Sequence, residues 1–271
     1  MQRLLSTLFV GAAALLAPWT ASAAADVLRI GGTGGATALL MHLSKPFAQT
    51  TGIAIEVIPS LGSGGAIKAV AAGALDVAIT GRTLSAAELG SGFAEVASIR
   101  TPFVYATSHH GPVSMSEGEI VGAFAVSAAT WPDGAPIKLI LRPRVEDDNG
   151  IAASLFPGMQ AAADLARQRA ELPVATTDQD NADLAESLNG SLIAATYTQI
   201  TMEHRDLRLI AIEGVSPGID AFESGRYRYT KVFRIIRSQQ PSAVAEQFTR
   251  FLASDGGARA LREAGCLPGS E

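Results

Sequence analysis

The chain has a single cysteine in 271 residues, which excludes an internal disulfide and with it the small disulfide-stapled classes. Charge is also scarce. Only 17% of residues are Asp, Glu, Lys or Arg, and 21 basic against 26 acidic side chains leave a formal net charge of −5 with no basic run, so electrostatics give no reason to expect a nucleic-acid partner. Beyond the first two dozen residues no apolar run is long enough to cross a bilayer. Aromatics make up 6%, yet 48% of residues are hydrophobic, which excludes a disordered chain and suffices for one large core or two small ones.

The N-terminal residues read as a separate device. Arg3 is followed by an apolar stretch from Leu4 to Leu16, a breaker at Pro18 and the small-residue run Ala21-Ser22-Ala23, the pattern of a secretory signal cleaved after Ala23. No cysteine near that point can carry a lipid, so the expected mature protein is free in an exported compartment, most simply a bacterial periplasm.

The mature chain opens with a strand, Val27 to Ile30, that runs into Gly31-Gly32-Thr33-Gly34-Gly35. Leu39, Leu40, Leu43 and Phe47 then share one face at helical period, with Gly52 as the stop. A second strand, Ile53 to Ile58, ends in Leu61-Gly62-Ser63-Gly64-Gly65 and feeds a helix with Ile67, Val70 and Ala71. A third, Asp76 to Thr80, runs into Gly81-Arg82-Thr83. Three times the chain leaves a strand's carboxyl end through Gly, Ser, Thr or Arg, and in an open parallel sheet those ends converge on one crevice. Such turns suit an anion: helix N-termini offer unpaired N–H groups and a positive dipole end, glycine admits a ligand to the backbone, and hydroxyls add donors without charge.

Later segments predict a second α/β unit of about 100 residues. It holds a strand at 103–106, a helix near 116–124 opened by a Ser116/Glu119 capping box, and a strand at 137–141 delivering Arg142, Pro143 and Arg144. Helices are expected over 152–169 and 178–188, with strands at 174–175 and 192–196. The strands 207–212 and 231–236 and two terminal helices, 242–252 and 256–264, read as returning to the first unit. The organisation expected is signal 1–23, first lobe 24–105, second lobe 106–206 and a return segment 207–271, with hinges near 105 and 206.

The spacing of Gly31-Gly32-Thr33-Gly34-Gly35, then Gly62-Ser63-Gly64-Gly65-Ala66-Ile67-Lys68, then Gly73-Ala74-Leu75-Asp76-Val77-Ala78 resembles the phosphate-binding members of the type II periplasmic substrate-binding proteins, the receptors of ABC importers. Ser116 to Lys138, with Trp131, Asp133-Gly134 and Pro136-Ile137, resembles the stretch that leads to that family's binding arginine, here Arg142. The resemblance is strong over 27–85 and 113–142 and weak after 200. It implies an α/β protein whose two lobes close on a small oxyanion, phosphate first, delivered to a membrane permease, without catalysis, metal or cofactor. Thr33, Gly34 and Gly35 match the first loop, Ser63 and Gly64 the second, Thr80 and Gly81 the third, and Arg142 the arginine; Arg82 and Arg144 are further candidates or else surface ion-pair partners of Asp147 or Asp148. The chain departs from the family at two points. Gly81 stands where the family carries an aspartate that accepts a proton from the ligand, and Arg144 to Gly150 replaces a Ser-Gly-Thr turn after the arginine. The alternative is a ligand sensor subunit for another anion, an organic phosphate or a carboxylate.

Other chemistries fit less well. The first glycine turn imitates a dinucleotide fingerprint, but Thr37 stands where Gly or Ala is expected and the next strand is followed by Pro59-Ser60 instead of an acid. Ser63 is not in a Gly-x-Ser-x-Gly elbow. Of the four histidines, His109 and His110 are adjacent and His42 and His204 isolated, no spacing for a metal, and Cys266 reads as a packing residue.

Overall fold

We describe a computed structural model covering residues 26–269; the signal segment expected at 1–23 lies outside the described residues. The strands are β1 Val27–Gly32, β2 Ala54–Ile58, β3 Val77–Thr80, β4 Phe93–Thr107, β5 Ser114–Met115, β6 Lys138–Leu139, β7 Ser191–Thr196, β8 Arg208–Leu209, β9 Ala211–Ile212, β10 Thr230–Ser238 and β11 Leu267–Pro268. The helices are α1 Thr37–Thr51, α2 Gly62–Ala71, α3 Ala86–Gly90, α4 Glu117–Ala125, α5 Asp147–Leu155, α6 Met159–Ala166, α7 Asp178–Ser187, α8 Tyr197–Met202, α9 Ile219–Glu223, α10 Ala243–Leu252 and α11 Asp255–Glu263. None is long and apolar enough to cross a membrane.

Strands run in the order β2-β1-β3-β10-β4-β7-β6, with β8 and β11 also on β4. The first three are parallel, and Ile30 of β1 pairs with both Val57 and Val77, so the turns after β1, β2 and β3 leave the sheet on one edge. Helices cover both faces. Leu39, Leu40, Leu43 and Phe47 of α1 pack with Phe248 and Phe251 of α10 and Leu261 of α11 on one side, and Ala66, Ile67 and Val70 of α2 pack with Leu75, Phe93 and Ile236 on the other. Gly52 closes α1 in the left-handed conformation, φ +74°, which a glycine adopts without strain.

A second core gathers around Phe103 to Ala106, Trp131, Leu139 to Leu141, Phe156, Leu192 and Ile193. The 15-residue β4 serves both: its N-terminal part pairs with β10 and packs Ile99 in the first core, while Phe103 to Ala106 pair with β7. β10 crosses as well, with Tyr229 just before it in the second core and Phe233 in the first. The chain from 207 to 229, read from sequence as returning to the first unit, contributes Leu207, Ile210, Ile212, Phe222, Tyr227 and Tyr229 to the second core.

Several elements differ from their sequence reading for local reasons. The helix expected over 152–169 is split into α5 and α6 by Pro157-Gly158, with Gly158 at φ +88°. The strand expected at 137–141 keeps only two ladder residues, and Leu141 bridges Val174 alone. The strand expected at 207–212 is interrupted at Ile210, whose N–H turns to the Tyr105 carbonyl.

Candidate functional site

The three β–α turns of the first core meet where the sequence places them. The Thr33 N–H donates to the Ile79 carbonyl at 3.0 Å, tying the first turn to β3. The Gly81 N–H donates to Ser63 Oγ at 2.9 Å, tying the third turn to the start of α2. Thr33, Ser63 and Thr80 are all buried, and the Thr80 hydroxyl is used locally, donating to the Arg82 carbonyl at 2.8 Å. Gly62 to Gly65 form the first turn of α2, where backbone N–H groups have no acceptor within the helix, and a Cβ on Gly64 would meet nothing within 4 Å.

The second core faces this edge with α5, α7 and the start of α8. Ser63 Oγ donates across to Asp147 Oδ2 at 2.5 Å, so the hydroxyl that accepts from the Gly81 N–H donates its own hydrogen bond to a carboxylate. The carbonyl of Gly34 accepts from Gln179 Nε2 at 3.1 Å and that of Gly35 from Thr196 Oγ1 at 3.3 Å. The approach at Gly34 is close: a Cβ there would lie 2.6 Å from Asp178 Oδ2, 2.8 Å from Gln179 Oε1 and 3.1 Å from Asp178 Cβ, so these side chains would have to give way.

Arg142 is 7% exposed and spans 3.1 Å to Glu146 Oε2, 3.7 Å to Asp178 Oδ1 and 3.2 Å to the Ala175 carbonyl. Its Nε has no hydrogen-bond partner among the described residues. Lys231, from β10, is shielded to 1% and binds Asp148 at the start of α5. Burial alone would lower the Lys231 pKa, but Asp148, Asp178 and Asp147 outweigh it and raise it. Burial raises Glu146, with Asp178 and Asp148 adding repulsion against the relief from Arg142. The crevice thus sets two cations, Arg142 and Lys231, among four carboxylates, Glu146, Asp147, Asp148 and Asp178. Behind Arg142 a cavity of about 40 Å³, lined by Tyr105, Phe124, Asp148, Ala152, Met159 and Arg167 among others, runs into the second core.

Of the residues singled out from sequence, Thr33, Gly34, Gly35, Ser63, Gly64, Thr80 and Gly81 stand on one edge and Arg142 faces them. Arg82 and Arg144 are engaged elsewhere, and not with Asp147 or Asp148. Arg82 forms a two-pronged pair with Glu88, 2.9 and 2.8 Å, and Arg144 reaches Asp164 at 2.7 Å from a largely exposed position. Sequence reasoning missed Lys231, Asp178 and Gln179 as cleft residues. The one available signal for Lys231 was its place in the strand Lys231 to Ile236 at period two with Phe233 and Ile235, and for Asp147 and Asp148 the acidic run that replaces the family's Ser-Gly-Thr turn. Among the described residues no cluster of His, Cys, Asp and Glu is arranged to hold a metal.

An open sheet with β2-β1-β3 parallel, an antiparallel β10 inserted before β4, and a crevice between two cores defines a type II periplasmic binding fold. The chain belongs to the family described as the PBP superfamily domain, whose model matches residues 19–256. No curated protein matches it in sequence. Among solved structures it is similar to a substrate-binding protein of Clostridium perfringens assigned to phosphate ABC transport, with phosphate bound, at a TM-score of 0.75 and 12% identity over 90% of this chain and 100% of that one. It is similar too to a phosphate-binding protein of Stenotrophomonas maltophilia, TM-score 0.64, 13% identity, covering 92% and 91%. A periplasmic molybdate-binding protein of Azotobacter vinelandii gives 0.61 and 14% identity, covering 90% and 100%. At these identities the likeness establishes the fold.

Proposed function

We propose that the protein is the solute-capturing component of an ABC importer, a monomeric, non-enzymatic periplasmic receptor freed of residues 1–23, that closes two lobes on a small oxyanion and presents it to a membrane permease. Phosphate is the first candidate. The lobes are built from the first and second cores, and β4 and β10 are the strands about which they move. The Thr33 and Ser63 hydroxyls and the backbone of Gly34, Gly35 and Gly64 supply donors from one lobe, Gly81 and Thr80 hold that edge in shape through their bonds to Ser63 Oγ and the Arg82 carbonyl, and Arg142 supplies charge from the other.

One observation carries the reading: the Ser63 hydroxyl, itself fixed by the Gly81 N–H, already donates to a carboxylate oxygen, that of Asp147. The edge is therefore built to satisfy an anionic oxygen with neutral donors, which needs no net positive protein.

The test is the thermal shift of the mature protein against phosphate, arsenate, sulfate, molybdate and a few phosphorylated or carboxylated metabolites. A ligand at 100 times its dissociation constant stabilises by about 2.7 kcal/mol, a readable shift. A response to phosphate supports the full reading, a response to another anion alone renames the ligand, and silence across the panel overturns the oxyanion assignment.

A further inference from the structure

Asp147 is the first residue of α5, in the second core's part of the chain, yet its carboxylate reaches across to the first core. Its partner there, Ser63, lies 84 residues away in sequence and is buried. The space it enters exists because residue 81 is glycine: a Cβ on Gly81 would sit 2.9 Å from Asp147 Oδ2 and 3.3 Å from Asp147 Cβ. The carboxylate thus fills the volume that a side chain at position 81 would take, against the one hydroxyl of the turn that is fixed by a backbone N–H.

Asp148, the next residue, is anchored to the buried Lys231, so α5 is held in place independently of Asp147. Asp147 itself is only partly buried and can leave Ser63 by rotating its side chain, with no change in the helix. Charge favours such an exchange. With four carboxylates around two cations, adding an oxyanion beside a retained Asp147 would put like charges together in a shielded site, whereas swapping one anion for another leaves the local charge closer to where it stands.

We propose that Asp147 is a tethered ligand of this cleft: in the free protein its carboxylate occupies the oxygen site at Ser63, adds one tie between the lobes to those made by Lys231–Asp148, Gln179 and Thr196, and is displaced when an external oxyanion binds. This rests on the oxyanion reading for the displacement step but not for the tie. A site occupied internally for most of the time has its apparent affinity reduced by the fraction of molecules in which it is free. Asp147 therefore sets the affinity threshold of the cleft, so that only an anion held by more donors than the single Ser63 hydroxyl takes its place.

The experiment compares the mature protein with Asp147→Ala and Asp147→Asn by calorimetric titration with inorganic phosphate, arsenate and molybdate, and by small-angle X-ray scattering of the ligand-free proteins. We expect Asp147→Ala to bind its anion about tenfold more tightly or better, and to be more extended when ligand-free, with Asp147→Asn, which keeps a weaker acceptor for Ser63, in between. Unchanged or weaker binding in Asp147→Ala, from a protein that otherwise binds, overturns the displacement. Identical scattering of the two ligand-free proteins overturns the tie. If none of the three proteins binds any anion, the oxyanion reading fails, and the scattering comparison still decides whether Asp147 ties the lobes.

Discussion

Lys231 on β10 and Asp148 on α5 form an ion pair that is 1% and 7% exposed at its two side chains, and it joins a strand of the first core to a helix of the second. Neither group has water to fall back on, so removing one leaves the other as an uncompensated buried charge. Lys231→Met is expected to destabilise the protein by about 3–5 kcal/mol, and the double variant Lys231→Met/Asp148→Asn to recover part of that loss. Chemical denaturation of the single and double variants measures both. A Lys231→Met protein as stable as the parent would show that the pair is not formed in solution.

The Arg82–Glu88 pair gives the pH dependence a readable acid limb. Glu88 is held down to about 2 from an ordinary 4.5, chiefly by its hydrogen bond to Arg82 and further by the Ser85 cap, against burial. A depressed carboxylate contributes stability above its unfolded pKa, and that contribution is lost as pH falls from 4.5 through about 2. Because both side chains keep contact with solvent, 35% and 22% exposed, the amount is about 1 kcal/mol. Glu88→Gln should therefore lose stability less steeply than the parent as pH falls from 4.5 to about 2, measured as denaturation midpoints across that window. Parallel curves for the two proteins would remove Glu88 as the cause.

Arg142 is the cation that the proposed ligand meets from the second lobe. Charge-assisted hydrogen bonds of this kind contribute about 1.5–3 kcal/mol, so Arg142→Ala is expected to weaken anion binding by about one to two orders of magnitude. The same change leaves Glu146 and Asp178 without their shared cation, so the far-ultraviolet circular dichroism of the variant has to be checked beside the titration. Arg142→Lys keeps the charge but loses the fork that reaches Glu146, Asp178 and the Ala175 carbonyl together, and should bind with intermediate affinity. Full affinity in a folded Arg142→Ala protein would move the site elsewhere.

What was legible in the sequence followed from local chemistry. The three strand–turn–helix units, the buried face of α1 from Leu39 to Phe47, the Gly52 stop and the Ser116/Glu119 cap are all set by residues within a turn or two of one another. The convergence of Thr33, Ser63 and Gly81 followed from the parallel order of β1, β2 and β3. What was not legible depends on long-range pairing. Lys231 becomes a cleft residue only because β10 lies between β3 and β4, with Lys231 opposite Thr101, a register that no local pattern encodes. Arg82 and Arg144 illustrate the converse: their sequence neighbourhood suggested the cleft, but Glu88 and Asp164, six and twenty residues on, satisfy them first.

The glycine turn after β1 separates two kinds of close approach that look alike in sequence. At Gly32 a Cβ would fall 1.8 Å from the Ile79 carbonyl oxygen, backbone of a central strand that cannot give way. Gly32→Ala should therefore cost about 3 kcal/mol or more and shift the denaturation midpoint accordingly. At Gly34 the atoms in the way, Asp178 Oδ2 and Gln179 Oε1, are the ends of side chains from the opposite core, which can turn aside. Gly34→Ala is expected to leave stability within about 1 kcal/mol of the parent, because the first core is undisturbed, while the two cores are held apart at the point where Gln179 donates to the Gly34 carbonyl. The measurable consequence is weaker anion binding in a protein of nearly parental stability, the reverse of the Gly32→Ala outcome. A Gly34→Ala protein that unfolds as readily as Gly32→Ala would place the turn's role in the core of one lobe and not in the closure of two.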